Sequence, residues 1–153
     1  MFIGEHEATL DAKNRVVFPA KLRDAVPPGE RDRFVCTIGL DGCLFLYTKT
    51  GWDKVVRALE ERVGAYALGS TDLRRFQRAF YSRAEPCELD KQGRFLLPQK
   101  LRQEAAIDRE VVFVGVSDRV ELWDARRWAA AQASTGPDEF VRLGEQIFQG
   151  RPT

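Results

Sequence analysis

A fourteen-residue stretch is written twice in this chain, and the duplication limits the possible folds more than any other feature. Residues 10–23 read LDAKNRVVFPAKLR and residues 89–102 read LDKQGRFLLPQKLR. With position 90 set against position 11, a spacing of 79 residues, seven pairs are identical: Leu10/Leu89, Asp11/Asp90, Arg15/Arg94, Pro19/Pro98, Lys21/Lys100, Leu22/Leu101 and Arg23/Arg102. A match this dense without a gap marks an internal repeat, so one supersecondary unit has to be accommodated twice.

Within each copy the pattern reads as strand, turn, strand. Polar residues 11–15 separate the loosely alternating Glu5–Leu10 from the β-branched and aromatic Val16–Phe18, which predicts a hairpin. Asn14 in one copy and Gly93 in the other meet the same requirement, since both tolerate positive φ. Pro19 stops the strand and is expected to start a short helix over 19–26; Pro98 does the same for a helix ending near Ile107. Phe34–Ile38 and Leu44–Tyr47 read as a second strand pair around Gly39–Gly42. Thr50 is the expected cap of a helix whose apolar face is Trp52, Val55, Val56, Leu59 and Val63.

The second copy continues with strands at Val111–Val116 and Val120–Trp123 and a helix capped by Asp124. Here the two copies align at a spacing of 76, pairing Gly39/Gly115, Leu46/Leu122, Tyr47/Trp123 and Trp52/Trp128. The difference falls at the Pro27-Pro28-Gly29 loop of the first copy. Between the copies, Gly64–Gly69 breaks the pattern. A helix from Ser70 or Thr71 then carries Leu73, Phe76 and Phe80, with Arg74, Arg75, Arg78 and Arg83 off that stripe. A last helix after Pro137 carries Phe140, Leu143 and Ile147. The expected division is a first module at 5–50, a helical connector at 51–83, a second module at 84–127 and C-terminal helices over 128–153.

Composition narrows the function. The 153 residues are 44% apolar and 31% charged, the balance of a water-soluble globular chain. No apolar run reaches the roughly eighteen residues of a spanning helix, so no membrane partner is expected. The opening MFIGEHEATL lacks a basic region followed by an apolar stretch, which predicts a cytoplasmic protein without a signal peptide. Cys36, Cys43 and Cys87 lie in apolar text without a CxxC pair and read as buried free thiols. His6 is the single histidine. Neither a G-x-S-x-G elbow nor a glycine-rich phosphate loop occurs, so no enzyme activity, metal or cofactor is expected. Asp11 and Asp90 each precede an arginine by four residues, which favours a fixed ion pair over proton transfer.

Two readings of the Asp-x-x-x-Arg turn stand side by side. In one, the aspartate accepts backbone N–H groups and the arginine pairs with it, purely to build the turn. In the other, the turn presents charge. Lys13, Arg15, Lys21 and Arg23 crowd one copy, and Lys91, Arg94, Lys100 and Arg102 the other. Exposed arginine and lysine on such turns suit phosphate contact and bidentate reading of guanine edges. The net charge of only +1 means that a nucleic-acid partner must be argued from these local clusters.

At these residues the chain resembles the MraZ family of bacterial transcriptional regulators, built from two SpoVT/AbrB-like swapped-hairpin modules. The resemblance takes in Met1-Phe2 with Gly4, both Asp-x-x-x-Arg copies, Arg94 with the apolar run to Pro98, and Val114-Gly115 with Glu121-Leu122-Trp123-Asp124. Asn14 departs from it, standing where a glycine is usual. The resemblance implies an α+β fold in which duplicated β-hairpin/short helix/β-hairpin units form a double swapped-hairpin β-barrel with flanking helices. It also implies ring-like homo-oligomers that bind short repeated elements in double-stranded promoter DNA, upstream of division and cell-wall genes, in the cytoplasm and associated with the nucleoid. The DNA-binding role attaches to Asp11, Arg15, Asp90 and Arg94; charge and position add Lys13 and Lys91. The rival expectation is an oligomeric protein-interaction scaffold that uses the Arg74–Arg83 face and the last helix.

Overall fold

The computed structural model describes residues 1–150. The final part of the expected C-terminal segment, residues 151–153, lies outside the described residues. In chain order the elements are β1 (Glu5–Thr9), β2 (Arg15–Val17), α1 (Ala20–Arg23), a single 3-10 turn (Pro28–Glu30), β3 (Arg33–Ile38), β4 (Leu44–Tyr47), α2 (Lys49–Val63), α3 (Tyr66–Gly69) and α4 (Thr71–Ser82). The second half adds β5 (Glu85–Glu88), β6 (Arg94–Leu96), α5 (Gln99–Glu104), β7 (Glu110–Val116), β8 (Arg119–Asp124), α6 (Ala125–Ala133) and α7 (Pro137–Phe148).

The chain is α+β, with its strands in two antiparallel sheets. One has six strands in the order β1-β7-β8-β4-β3-β5; the other is the two-stranded ribbon β2-β6. Two expectations change here. The arms of each Asp-x-x-x-Arg turn do not pair with one another as a simple hairpin would. Instead β1 pairs with β7, β5 with β3, and β2 with β6, so each arm finds its partner in the other copy. Nor is there one closed barrel, because β1 and β5 are the two ends of the six-stranded sheet. The physical reason lies in Pro19 and Pro98. Each follows its strand closely and has no N–H to continue a ladder, so β2 and β6 end after three residues and form only a short ribbon.

The pairing is two-fold symmetric. Arg15 stands opposite Leu96 and Arg94 opposite Val17, with Val16 and Phe95 at the centre. In the large sheet Leu44 pairs with Leu122 and Leu46 with Val120, about a centre at Phe45 and Glu121. Register also revises the alignment of the copies. Phe34 faces Cys87 while Val111 faces Ala8, so in β3 and β7 position 34 corresponds to position 111, a spacing of 77. The centre at Phe45 and Glu121 keeps the spacing of 76 for β4 and β8. Gly115 is therefore the counterpart of Ile38 and not of Gly39. Gly115 has its own reason to be small: a Cβ there would lie 2.4 Å from the Ile3 nitrogen. The N-terminal segment rests on β7 at that point, held by Phe2 N–H to Ser117 C=O at 2.7 Å and Gly115 N–H to Gly4 C=O at 2.8 Å.

The core lies on both faces of the large sheet. On one face the ribbon, α1 and α5 close over it through Phe18, Leu22, Phe95, Leu97 and Leu101, all fully buried. Phe18 stacks on Phe34 at 4.4 Å between centroids and meets Phe113 edge-on at 5.6 Å. On the other face α2, α4 and α6 pack through Trp52 on Phe80 at 5.6 Å and Trp123 against Trp128 at 5.4 Å. Helix starts differ slightly from expectation. Thr48, not Thr50, caps α2, its hydroxyl accepting from Gly51 N–H at 3.0 Å. Pro19 stands just before α1, which is shorter than expected. Ser70 and Asp124 cap α4 and α6 as anticipated.

All three cysteines are free and buried. Burial pushes the Cys43 thiol up to about 12, and contact with the Cys87 thiol followed by burial raises Cys36. The folded chain should therefore resist a thiol reagent at about pH 8, with all three groups reacting only after unfolding. Prompt labelling of the native chain would contradict this packing. Replacing Phe18 by alanine should lower stability by about 3–5 kcal/mol in urea titrations, since it removes a ring packed against two others.

Candidate nucleic-acid interface

Each Asp-x-x-x-Arg turn is held together by one carboxylate. Asp11 Oδ1 accepts the backbone N–H groups of Lys13 and Arg15, both at 2.9 Å, and Oδ2 accepts Arg15 Nε at 2.8 Å. Asp90 repeats the arrangement with Gln92 N–H, Arg94 N–H and Arg94 Nε, all at 2.9 Å. The backbone closes identically: Asp11 N–H reaches Arg15 C=O and Asp90 N–H reaches Arg94 C=O, each at 2.8 Å. Asn14 and Gly93 have φ of 60° and 76°, so both occupy the left-handed conformation that their interchange suggested.

These bonds explain the charge state. The Arg15 backbone N–H, ahead of the Arg15 guanidinium, holds the Asp11 carboxyl below the usual aspartate range; Arg94 does the same for Asp90. Both carboxylates are ionised at neutral pH and engaged in the turn. The structural reading of the motif is thus realised at Nε of each arginine. The terminal nitrogens are another matter. Neither Nη1 nor Nη2 of Arg15 or Arg94 has a hydrogen-bond partner among the described residues. The carboxylate fixes the root of each guanidinium and leaves its outer fork exposed, with 32% and 29% of the two side chains accessible.

The ribbon brings the two forks together. Paired residues of an antiparallel ribbon share a face, so Arg15, Leu96, Val17 and Arg94 all point away from the core. Val16 and Phe95 point into it. Lys13 and Lys91 lie exposed on the two turns. They are not equivalent positions: Lys13 matches Gln92, and Lys91 matches Ala12. Arg23 of α1 reaches the opposite copy's turn, its Nη1 3.5 Å from where a Gly93 Cβ would sit. Its Nη2 also pairs with Asp32 at 2.5 Å. The six residues singled out from the sequence thus belong to one surface, the side of the large sheet opposite α2, α4 and α6.

Sequence reasoning missed Val17 and Leu96, which are 50% and 61% exposed in the middle of this surface. Both sit in short apolar runs, where nothing in the text distinguishes the inward from the outward residue. The basic face of α4 proves largely engaged. Arg74 donates to the Ala67 and Leu68 carbonyls at the end of α3, both at 2.9 Å, and Arg83 pairs with Glu104. Among the described residues no cluster of three or more histidine, cysteine or carboxylate side chains could hold a metal ion. No described helix is long and apolar enough to cross a membrane.

Comparison with known proteins adds a family. Residues 1–67 and 80–140 match the model of the family described as "MraZ protein, putative antitoxin-like". The chain belongs to the MraZ family. Its relatives match almost end to end. The protein of Heliobacterium modesticaldum is 44% identical over 148 residues, spanning 97% of both chains. Those of Clostridium beijerinckii and Ligilactobacillus salivarius are each 46% identical, spanning 96% and 97% of both chains. All three carry the name "Transcriptional regulator MraZ". The gap in the family match, residues 68–79, covers the end of α3 and most of α4.

The turn geometry leads to two measurable outcomes. Gly93→Asn should be nearly neutral, because asparagine occupies the same conformation at position 14, whereas Gly93→Val should cost about 1–2 kcal/mol or more. Carboxyl titration by NMR should place Asp11 and Asp90 below other aspartates. The lowered values mean that the stability these groups contribute is present above the unfolded-state value and lost as pH falls through the folded one. Substituting both by asparagine should remove that part of the acid sensitivity; an unaltered acid-unfolding curve would contradict the assignment.

Proposed function

We propose that the chain is a sequence-specific DNA-binding transcriptional regulator that docks the β2–β6 ribbon in a major groove. The observation that carries this is the pair of arginine forks, rooted by Asp11 and Asp90 and presented on one outward face. A two-stranded ribbon is narrow enough for a major groove about 12 Å wide, where guanine offers O6 and N7 to an end-on fork. Lys13 and Lys91 contact phosphates on either side. Asp11 and Asp90 orient arginines and do not touch DNA, since an ionised carboxylate repels phosphate. The relatives' name as transcriptional regulators supports the same reading.

The exchange of strand partners between modules 5–50 and 84–127 supports the swapped-hairpin description, with 51–83 as connector and 128–153 as C-terminal helices. The chain acts by occupancy, in the cytoplasm and on the nucleoid, without catalysis, metal or cofactor. One ribbon offers few base contacts, so useful affinity comes from several protomers on repeated promoter elements, as the family resemblance suggests for division and cell-wall genes. Apolar side chains left uncovered on one chain support ring-like self-association: Phe140, Ile147 and Phe148 on α7, and Leu40 between β3 and β4. The same uncovered residues favour the second reading, a protein-interaction scaffold without specific DNA binding.

Arg15→Ala and Arg94→Ala should each weaken binding to a preferred duplex about 10- to 100-fold in gel-shift titrations, with the circular-dichroism spectrum retained. Binding by the unaltered chain should fall steeply with added salt. Affinity unchanged in both variants at matched salt, or binding indifferent to sequence and salt, would favour the scaffold. Light scattering reads the oligomer directly.

A further inference from the structure

We infer that Val17 and Leu96 read thymine methyl groups within about two base pairs of those engaged by Arg15 and Arg94; this rests on the DNA-binding reading above. Single apolar side chains on a protein surface need no explanation. These two differ from that background in three ways. They are equivalent positions of the repeat, 17 and 96 standing 79 apart, so the same exposure occurs twice. Each stands directly opposite an arginine, Val17 facing Arg94 and Leu96 facing Arg15. They also stand on the ribbon's outward face, where half or more of each residue is left open to solvent.

The surface is therefore a four-residue mosaic in which two cationic forks alternate with two alkyl groups. Strand residues advance about 3.3 Å each, close to the roughly 3.4 Å rise of successive base pairs. Side chains two positions apart along one strand, about 6.6 Å, therefore address base pairs two steps apart, and each arginine's cross-strand neighbour, about 5 Å from it, lies within that span. Only thymine presents an alkyl group on the major-groove edge, its C5-methyl. Valine and leucine offer it a dry contact and offer the cytosine amine or the purine edges nothing. Charge complementarity favours DNA as the occupant, because DNA supplies acceptors for both guanidinium forks together with alkyl groups for Val17 and Leu96. An apolar protein partner would bury the forks without counter-charge. The mosaic thus favours sequences in which thymine lies within about two base pairs of the guanines taken by the arginines.

The experiment needs no altered protein at first. A randomised duplex library is enriched with the full chain, and the best-bound sequence is resynthesised with uracil for every thymine, which removes the methyl groups and leaves every hydrogen-bonding edge intact. Affinity should fall about three- to fivefold for each methyl group that Val17 or Leu96 touches, and substitution one position at a time should confine the effect to one or two thymines. In Val17→Ala/Leu96→Ala, folded by circular dichroism, the thymine and uracil duplexes should bind alike. Arg15→Ala should weaken both duplexes while preserving their ratio. Equal binding of the two duplexes by the unaltered chain, or a preference for thymine that survives the double alanine variant, would overturn the inference and leave DNA binding standing. A library that shows no enrichment would remove both.

Discussion

Much of this structure depends on one carboxylate used three times over, and then used again in the second copy. Asp11 binds two backbone N–H groups and one guanidinium nitrogen, and Asp90 does the same. A side chain that accepts successive N–H groups takes over the work of a backbone ladder at the point where the chain reverses. The two arms leaving the turn are then free of one another. Each turns to the other copy for its hydrogen bonds, and the six-stranded sheet and the ribbon are the consequence. The device that lets the copies interlock also anchors the two arginines at Nε and leaves their terminal nitrogens without a partner among the described residues.

The two-fold relation is close but not complete, and its departures are instructive. At the centre of the large sheet, Phe45 of the first copy faces Glu121 of the second. Glu121 is buried, yet both of its oxygens are satisfied, by Arg119 Nε and Nη2 at 3.1 and 2.9 Å and by Trp123 Nε1 at 3.1 Å. Arg119 in turn lies over the Phe45 ring, 4.7 Å from its centroid. An ion pair, an indole and a phenyl ring complete one another, so the polar group enters the interior without an unpaired charge. The ribbon side keeps its symmetry while the helical side differs between the copies.

Much of this is legible in the sequence, for reasons that differ by element. The turn at 11–15 can be placed because Asn14 and Gly93 share a backbone demand that few residues meet. β3 and β4 can be placed because their apolar runs are bounded by turn residues, and they do pair as a local hairpin. The partner of β1 cannot, because nothing in its five residues favours Val17 over Val114 as a neighbour; the ladder is decided by which strand the rest of the core brings alongside. The match of Gly39 with Gly115 misleads for a related reason. The two glycines serve different needs, a tight approach to the Cys43 thiol in one and passage of the N-terminal backbone in the other.

Three features are already fixed in the linear text: one unit is present twice, each copy turns on an Asp-x-x-x-Arg motif, and arginine and lysine cluster there. Those are local facts, set by φ preferences and by hydrogen bonds spanning four residues. Three others exist only once the chain is folded. The copies exchange strands, the two guanidinium forks lie on one face, and Val17 and Leu96 stand between them. These depend on pairing across 79 residues of chain, where the free energy comes from burying Phe18, Phe95 and Phe113 together. Such burial rewards a pairing only once both copies are in place, so neither copy's text contains it.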